Sequence, residues 1–175
     1  RRQGLHRRTA EVLRDQFATT AATEPELMAH HFTQAGLTEA AIEWWGKAGQ
    51  RSLAQSALSE GTEQLRRALD QIATLPTTPA LRREEIKLQV AFGNALSLTG
   101  DFVGGKERYD RALAIYDRAE HGPLTTRSSG RDVGVTLLLV RSHNIWVIGY
   151  PATSRNDGER ALREVDRGGR RVQIQ

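Results

Sequence analysis

The 175-residue chain contains no cysteine. Disulfides, thiol catalysis and cysteine–zinc sites are therefore excluded. It has no apolar run approaching about 18 residues, so no membrane-spanning helix is expected. No His-x3-His pair sets two ligands on one helical face, and the serines lack the GxSxG elbow. The chain begins RRQGLHRR, without Met and without an apolar leader, and reads as an internal piece of a longer cytoplasmic protein.

Hydrophobic residues make up 38% of the chain and 16 further residues are glycine, enough to bury a core. Net charge is +4, and the cations are almost all arginine, concentrated at the two ends. Such a bias raises the question of nucleic acid, whose binding would weaken steeply with salt. Carboxylates are interleaved in both regions (Glu11 and Asp15, then Glu159, Glu164 and Asp166). Mixed signs weaken the field a phosphate backbone needs, so these regions read as solvated helix faces.

Helical period dominates. Leu5, Thr9, Val12, Leu13 and Phe17 share one face, and TTAATE at 19–24 reads as a polar break. Pro25 suits a first helical residue. The helix it opens ends near Ala35, where Gly36 can take the left-handed conformation. Thr38 is placed to cap a helix to about Ala54, and Ser56 or Ser59 the next. LPTTPA at 75–80 punctuates the chain. Helices are expected at 81–98, 105–119 and 152–166, a loop at 121–130 and a frayed tail after 166. The stretch 132–148 is ambiguous, because its valines favour strands.

Successive helices call for a test of internal repeats. The tetratricopeptide pattern fits residues 89–113 through Phe92, Gly93, Leu96, Gly100, Gly105, Tyr109 and Ala112. It fits 25–49 through Met28, Ala29, Phe32, Gly36, Ala41, Trp45 and Ala48. The helix at 59–72 fits a second helix, with Gly61, Leu65 and Ala68. A third placement at 138–162 is weaker, with Ser154 and Gly158 at the small and aromatic positions. The expected fold is all-α: a tetratricopeptide-like right-handed superhelix of about seven or eight antiparallel helices in one domain, 1–175. Within it, 1–24 forms a leading helix, 25–119 the best-formed repeats and 120–175 a degenerate repeat and tail.

LHRRTAEVL (5–13), PELMAHHFTQAGLTEAAIEWWGKAGQRSLAQSA (25–57) and EEIKLQVAFGNALSLTGDF (84–102) resemble the helical-repeat region of large bacterial signalling ATPases. Many of these are fused to class III adenylate or guanylate cyclases. GPLTTRSSGRDVGV and WVIGYPA are similar to the same region further along, whereas the polar tail after 151 departs from it. The resemblance implies a regulatory or scaffolding segment. It brings no ATPase or cyclase residues, since no stretch here matches those motifs.

No catalytic constellation, cofactor site or metal site emerges. GDFVGGKE (100–107) is one residue short of a phosphate loop, with Glu107 where the hydroxyl should stand. The repeat explains its glycines without a ligand. His30 and His31 point about 100 degrees apart on a helix and are expected to pack or hydrogen-bond between helices; the other histidines are scattered. Trp45 takes a core position, with Trp44 one step round. First helices line the concave face of such arrays, here 26–35, 86–97 and 136–147, so His30, His31, Gln89, Asn94, Arg141 and Asn144 are candidate partner-binding residues; Trp44, on a second helix, joins them because an exposed Trp is a good partner anchor. The favoured function is non-catalytic protein binding or scaffolding, the partner being a protein or another domain of the same polypeptide. The alternative is a small-ligand sensor that gates an attached ATPase or cyclase.

Overall fold

The helical period resolves into ten α-helices among the residues that the computed structural model describes, 2–121 and 132–172. They are α1 (Arg2–Gln16), α2 (Ala18–Thr23), α3 (Pro25–Gln34), α4 (Thr38–Ala54), α5 (Leu58–Ile72), α6 (Pro79–Leu98), α7 (Phe102–Ile115), α8 (Arg118–His121), α9 (Val133–Val147) and α10 (Pro151–Val172). No strand occurs among the described residues. About seven or eight helices were expected; α2 and α8, with 6 and 4 residues, are the short ones. The chain divides into two compact units, Arg1–Leu81 and Arg82–Gln175.

One hairpin geometry recurs four times, joining α3 to α4, α4 to α5, α6 to α7 and α9 to α10. Each connecting turn has its middle residue at positive φ: Gly36 (71°), Ser56 (62°), Gly100 (85°) and Gly149 (94°). The residue after it returns its N–H to a carbonyl five positions back, as in Leu37 to Phe32, Ala57 to Ser52, Asp101 to Leu96 and Tyr150 to Ile145. This bond closes the preceding helix in a Schellman-type cap. Five residues beyond each turn centre stands a small residue, Ala41, Gly61, Gly105 or Ser154, and twelve beyond it a buried alanine, Ala48, Ala68, Ala112 or Ala161. A hydrogen bond across each hairpin links residues 12 apart: Trp45 to Thr33, Ser52 to Gln64, Ser97 with Tyr109, and Ser142 with Ser154.

Small residues let the paired helices touch. A Cβ on Gly49 would stand 2.7 Å from Leu65 and 3.2 Å from the Gly61 carbonyl. In the second unit a Cβ on Gly93 would enter the Tyr109 ring at 2.5 Å. Around that contact Ile86, Val90, Tyr109, Ala112, Val133 and Leu137 bring α6, α7 and α9 into one core. Val135, Leu138 and Ala161 join α9 to α10.

Among the described residues Ser56 is the one non-glycine residue at positive φ, and a side chain in that conformation costs about 1 kcal/mol. A Ser56→Gly chain should melt a few degrees higher, a net gain of about 0.5 kcal/mol after glycine's extra entropy cost. Thermal unfolding measures this. An unchanged or lower melting temperature would show that the turn carries no strain.

Several local expectations are corrected. TTAAT of this stretch is helical, forming most of α2, with Thr23 bonding back to the Thr19 carbonyl at 3.1 Å and Glu24 as the break. Thr38 does not cap α4, nor do Ser56 and Ser59 cap α5. The N-caps are Leu37 and Ala57, without side-chain bonds, because the shared turn puts the cap directly after the positive-φ residue. The valine-rich 132–148 is helix. Val133, Val135, Leu137, Leu138 and Ile145 are all buried, and packing on several sides overrides a weak local preference. Asp132 starts this helix by accepting the Gly134 N–H at 2.7 Å. The helix expected at 105–119 runs Phe102–Ile115, and α10 continues to Val172. The expected loop beyond His121 and the last three residues lie outside the described residues.

Candidate functional site

The seven residues singled out from the sequence do not form one site. His30 and Asn94 are exposed, His31, Trp44 and Arg141 half-buried, and Gln89 and Asn144 buried. Asn144 belongs to an internal network: its Nδ2 donates to Ser97 Oγ (2.8 Å) and to the Phe102 carbonyl (3.1 Å). Tyr109 donates its hydroxyl to Asn94 Oδ1 at 2.8 Å, and burial raises the Tyr109 pKa. Arg141 bridges Asp110 of α7 and Asp157 of α10. Burial works against its charge, and the two carboxylates outweigh it and raise its pKa. Gln89 leaves its Oε1 without a hydrogen-bond partner.

Trp44 stacks on Phe32 with ring centroids 6.5 Å apart, and the Lys47 ammonium lies 4.2 Å over its ring. Trp45 is core, as its repeat position predicts. His31 bonds between helices: its Nδ1 is 2.9 Å from Nδ1 of His6 on α1. The histidines are thus not all scattered. The His6 ring lies 6.0 Å from His30 and 5.1 Å from His31. Burial, then the neighbouring His6 and His30, lower the His31 pKa. Sequence spacing could not show this trio, since His6 and His31 are 25 residues apart. Among the described residues no group of three or more His, Cys, Asp or Glu is disposed to hold a metal.

GDFVGGKE forms the α6–α7 turn. The Asp101 carboxylate accepts the Gly104 N–H at 2.8 Å, occupying one of the amides a phosphate would use. The preceding element is the helix α6, and Lys106 pairs with Asp110 at 2.7 Å.

Two features were not visible in the sequence. The first is an exposed face of α9, touched among the described residues by Phe102, whose ring meets His143 edge-on at 6.1 Å. Leu139, His143, Trp146 and Val147, with Tyr150 just beyond, recur at helical spacing and are all exposed, Trp146 and Tyr150 to 63% each. Val-rich composition masked this face, because both sides of α9 are apolar.

The second is a pocket of about 170 Å³ in the second unit. Leu113, Val135 and Leu138 form its apolar wall, beside Tyr116, Asp132, Arg118, Glu164 and Arg160. The Tyr116 hydroxyl donates to Asp132 Oδ1 at 2.7 Å; burial, then that bond, raise the Tyr116 pKa. Gly134 makes the arrangement possible, since a Cβ there would meet the Tyr116 ring at 2.6 Å. Beside it His121 is fully buried, its ring 6.0 Å from that of Tyr116. His121 Nδ1 accepts the Asp117 N–H at 2.9 Å, while its Nε2 has no hydrogen-bond partner.

No family model, no curated protein and no solved structure matches the chain. No helix among the described residues is long and apolar enough to cross a membrane.

Proposed function

We propose that this chain is a non-catalytic protein-binding module, a tetratricopeptide-like array whose partner docks on the outer face of α9. The exposed row of Leu139, His143, Trp146, Val147 and Tyr150 carries this reading. Large exposed aromatic side chains in one row are the residue types that dominate binding energy at interfaces. The helix supplying the row has no carboxylate between Val133 and Val147, so the face suits an apolar protein surface with acidic groups at its edge. The repeated hairpins supply a rigid support, each pair of helices held by small-residue contacts. Sharing of α4 between two hairpins departs from a strictly paired repeat. By its resemblance, the segment belongs to the regulatory part of a signalling ATPase or cyclase of the cytoplasm, and the partner is a protein or another domain of the same polypeptide.

The test places a photo-crosslinking residue at Trp146 in cells, identifies the captured protein, and measures its affinity as a purified partner. A Trp146→Ala/Tyr150→Ala chain should bind it at least about 30-fold more weakly, the loss of one hot spot of roughly 2 kcal/mol. Unchanged affinity, or no crosslink from this position, would overturn the reading.

A further inference from the structure

The pocket of the second unit is independent of the α9 outer face and has its own chemistry. Its charges do not all cancel internally. Arg118 and Glu164 pair with each other, and Arg118 also donates to the Glu164 carbonyl at 3.3 Å. Asp132 Oδ1 already accepts from both the Tyr116 hydroxyl and the Gly134 N–H, each at 2.7 Å. No described donor reaches the second oxygen of Asp132. Arg160, at the pocket's edge, forms no hydrogen bond or ion pair among the described residues. One carboxylate oxygen, on half-buried Asp132, and one exposed arginine at the rim thus stand beside an apolar wall of Leu113, Val135 and Leu138.

Size narrows the ligand. Drug-sized ligands occupy roughly 300–1,000 Å³, whereas a cavity of about 150 Å³ holds one benzene. A space of about 170 Å³ therefore takes a molecule far smaller than a nucleotide. Charge narrows it further. A bare anion would be repelled by Asp132, and a bare cation by Arg160. A hydrocarbon would fill the wall and cover the open oxygen of Asp132 without giving it a partner, which is costly.

We propose that this pocket binds a small aliphatic amino acid as its zwitterion. Its ammonium sits on Asp132, its carboxylate on Arg160, and its side chain against Leu113, Val135 and Leu138. Tyr116 is a positioning residue, holding the Asp132 carboxylate through its hydroxyl. The site adds a small-molecule input to a chain read above as a protein-binding module, and it stands whether or not α9 binds a partner.

Calorimetric titration of the whole chain with L-leucine and L-valine tests it. Saturable binding of at least one is expected. Isocaproate, which lacks the ammonium of leucine, and isopentylamine, which lacks the carboxylate, should each bind at least about tenfold more weakly than leucine. Arg160→Gln should weaken amino-acid binding by at least about tenfold and leave the weak binding of isopentylamine unchanged. Arg160 has no described partner to lose, so the variant should keep the parent melting temperature. No saturable binding of either amino acid, equal binding of isocaproate or isopentylamine, or full affinity in Arg160→Gln would overturn the assignment.

Discussion

A Gly105→Val chain should lose most of the stability of its second unit. Valine's Cβ would stand 2.5 Å from Ser97 Oγ, 2.5 Å from Asn144 Nδ2 and 3.1 Å from the Gly93 carbonyl. The two side-chain atoms belong to the bonded network that Asn144 makes with Ser97 and the Phe102 carbonyl. They can withdraw only by leaving buried polar groups unpaired, at about 1–3 kcal/mol. The Gly93 carbonyl is backbone of the facing helix and cannot withdraw alone. Overpacking adds about 1–3 kcal/mol, so a total near 4 kcal/mol is expected, and about half of it for Gly105→Ala. Gly4→Ala is the control: it has nothing within 4 Å of the new Cβ, so helix propensity should stabilise it by up to about 1 kcal/mol. Hydrogen exchange on the whole chain reads the outcome. Amides of α6, α7 and α9 should lose protection in Gly105→Val, while those of α3 to α5 keep it. If Gly105→Ala exchanged like the parent, the close helix contact would not be what the glycine serves.

That residue shows how much of the fold the sequence displays. Gly105 can be read as a contact residue from its place in the repeat, and Gly36, Gly100 and Gly149 as turn centres, because these roles depend on residues close in the chain. Trp45 and Tyr109 are legible as core for the same reason. The fourth turn centre is hidden by its identity, since Ser56 does not advertise a positive φ. Thr38 misleads by one position, because a hydroxyl near a helix start signals a cap only when the preceding turn has no register of its own. The strand-favouring valines of α9 mislead because burial on several sides outweighs intrinsic preference.

The sites are less legible than the fold, and the reason is distance along the chain. His6 meets His31 across 25 residues, and Arg141 meets Asp110 across 31 and Asp157 across 16. Single-helix patterns carry no trace of such pairs. Choosing Gln89, Arg141 and Asn144 as partner-facing followed from placing them on first helices. A first helix also has an inner side, and these polar groups turn towards it. The exposed row from Leu139 to Tyr150 lies on the same α9 as Arg141 and Asn144. Helical period alone does not say which side of α9 lies open.

Arg141 supplies the second large effect. Replacing it by methionine keeps much of its volume and removes the charge between two carboxylates. Asp110 would retain Lys106, 2.7 Å away. Asp157 is 8% exposed, and among the described residues Arg141 is its one ion-pair partner. Breaking a buried pair by removing one member costs about 3–5 kcal/mol; because Asp110 stays paired and the guanidinium is not fully buried, about 3 kcal/mol is expected. For a unit of this size that is a fall of roughly 15 °C in the melting temperature. The cause can be separated from the loss of contacts. Adding Asp157→Asn removes the stranded charge and should restore at least about half of the stability, giving a coupling well outside additive error. Acid should help as well. An unpaired buried carboxylate has its pKa raised above the unfolded value, so protonation favours the folded state. The gap between Arg141→Met and the parent should then narrow as pH falls towards the carboxylate range. A melting temperature unchanged by Arg141→Met, together with weakened binding of the α9 partner, would instead place Arg141 at the interface and not in the frame that supports it.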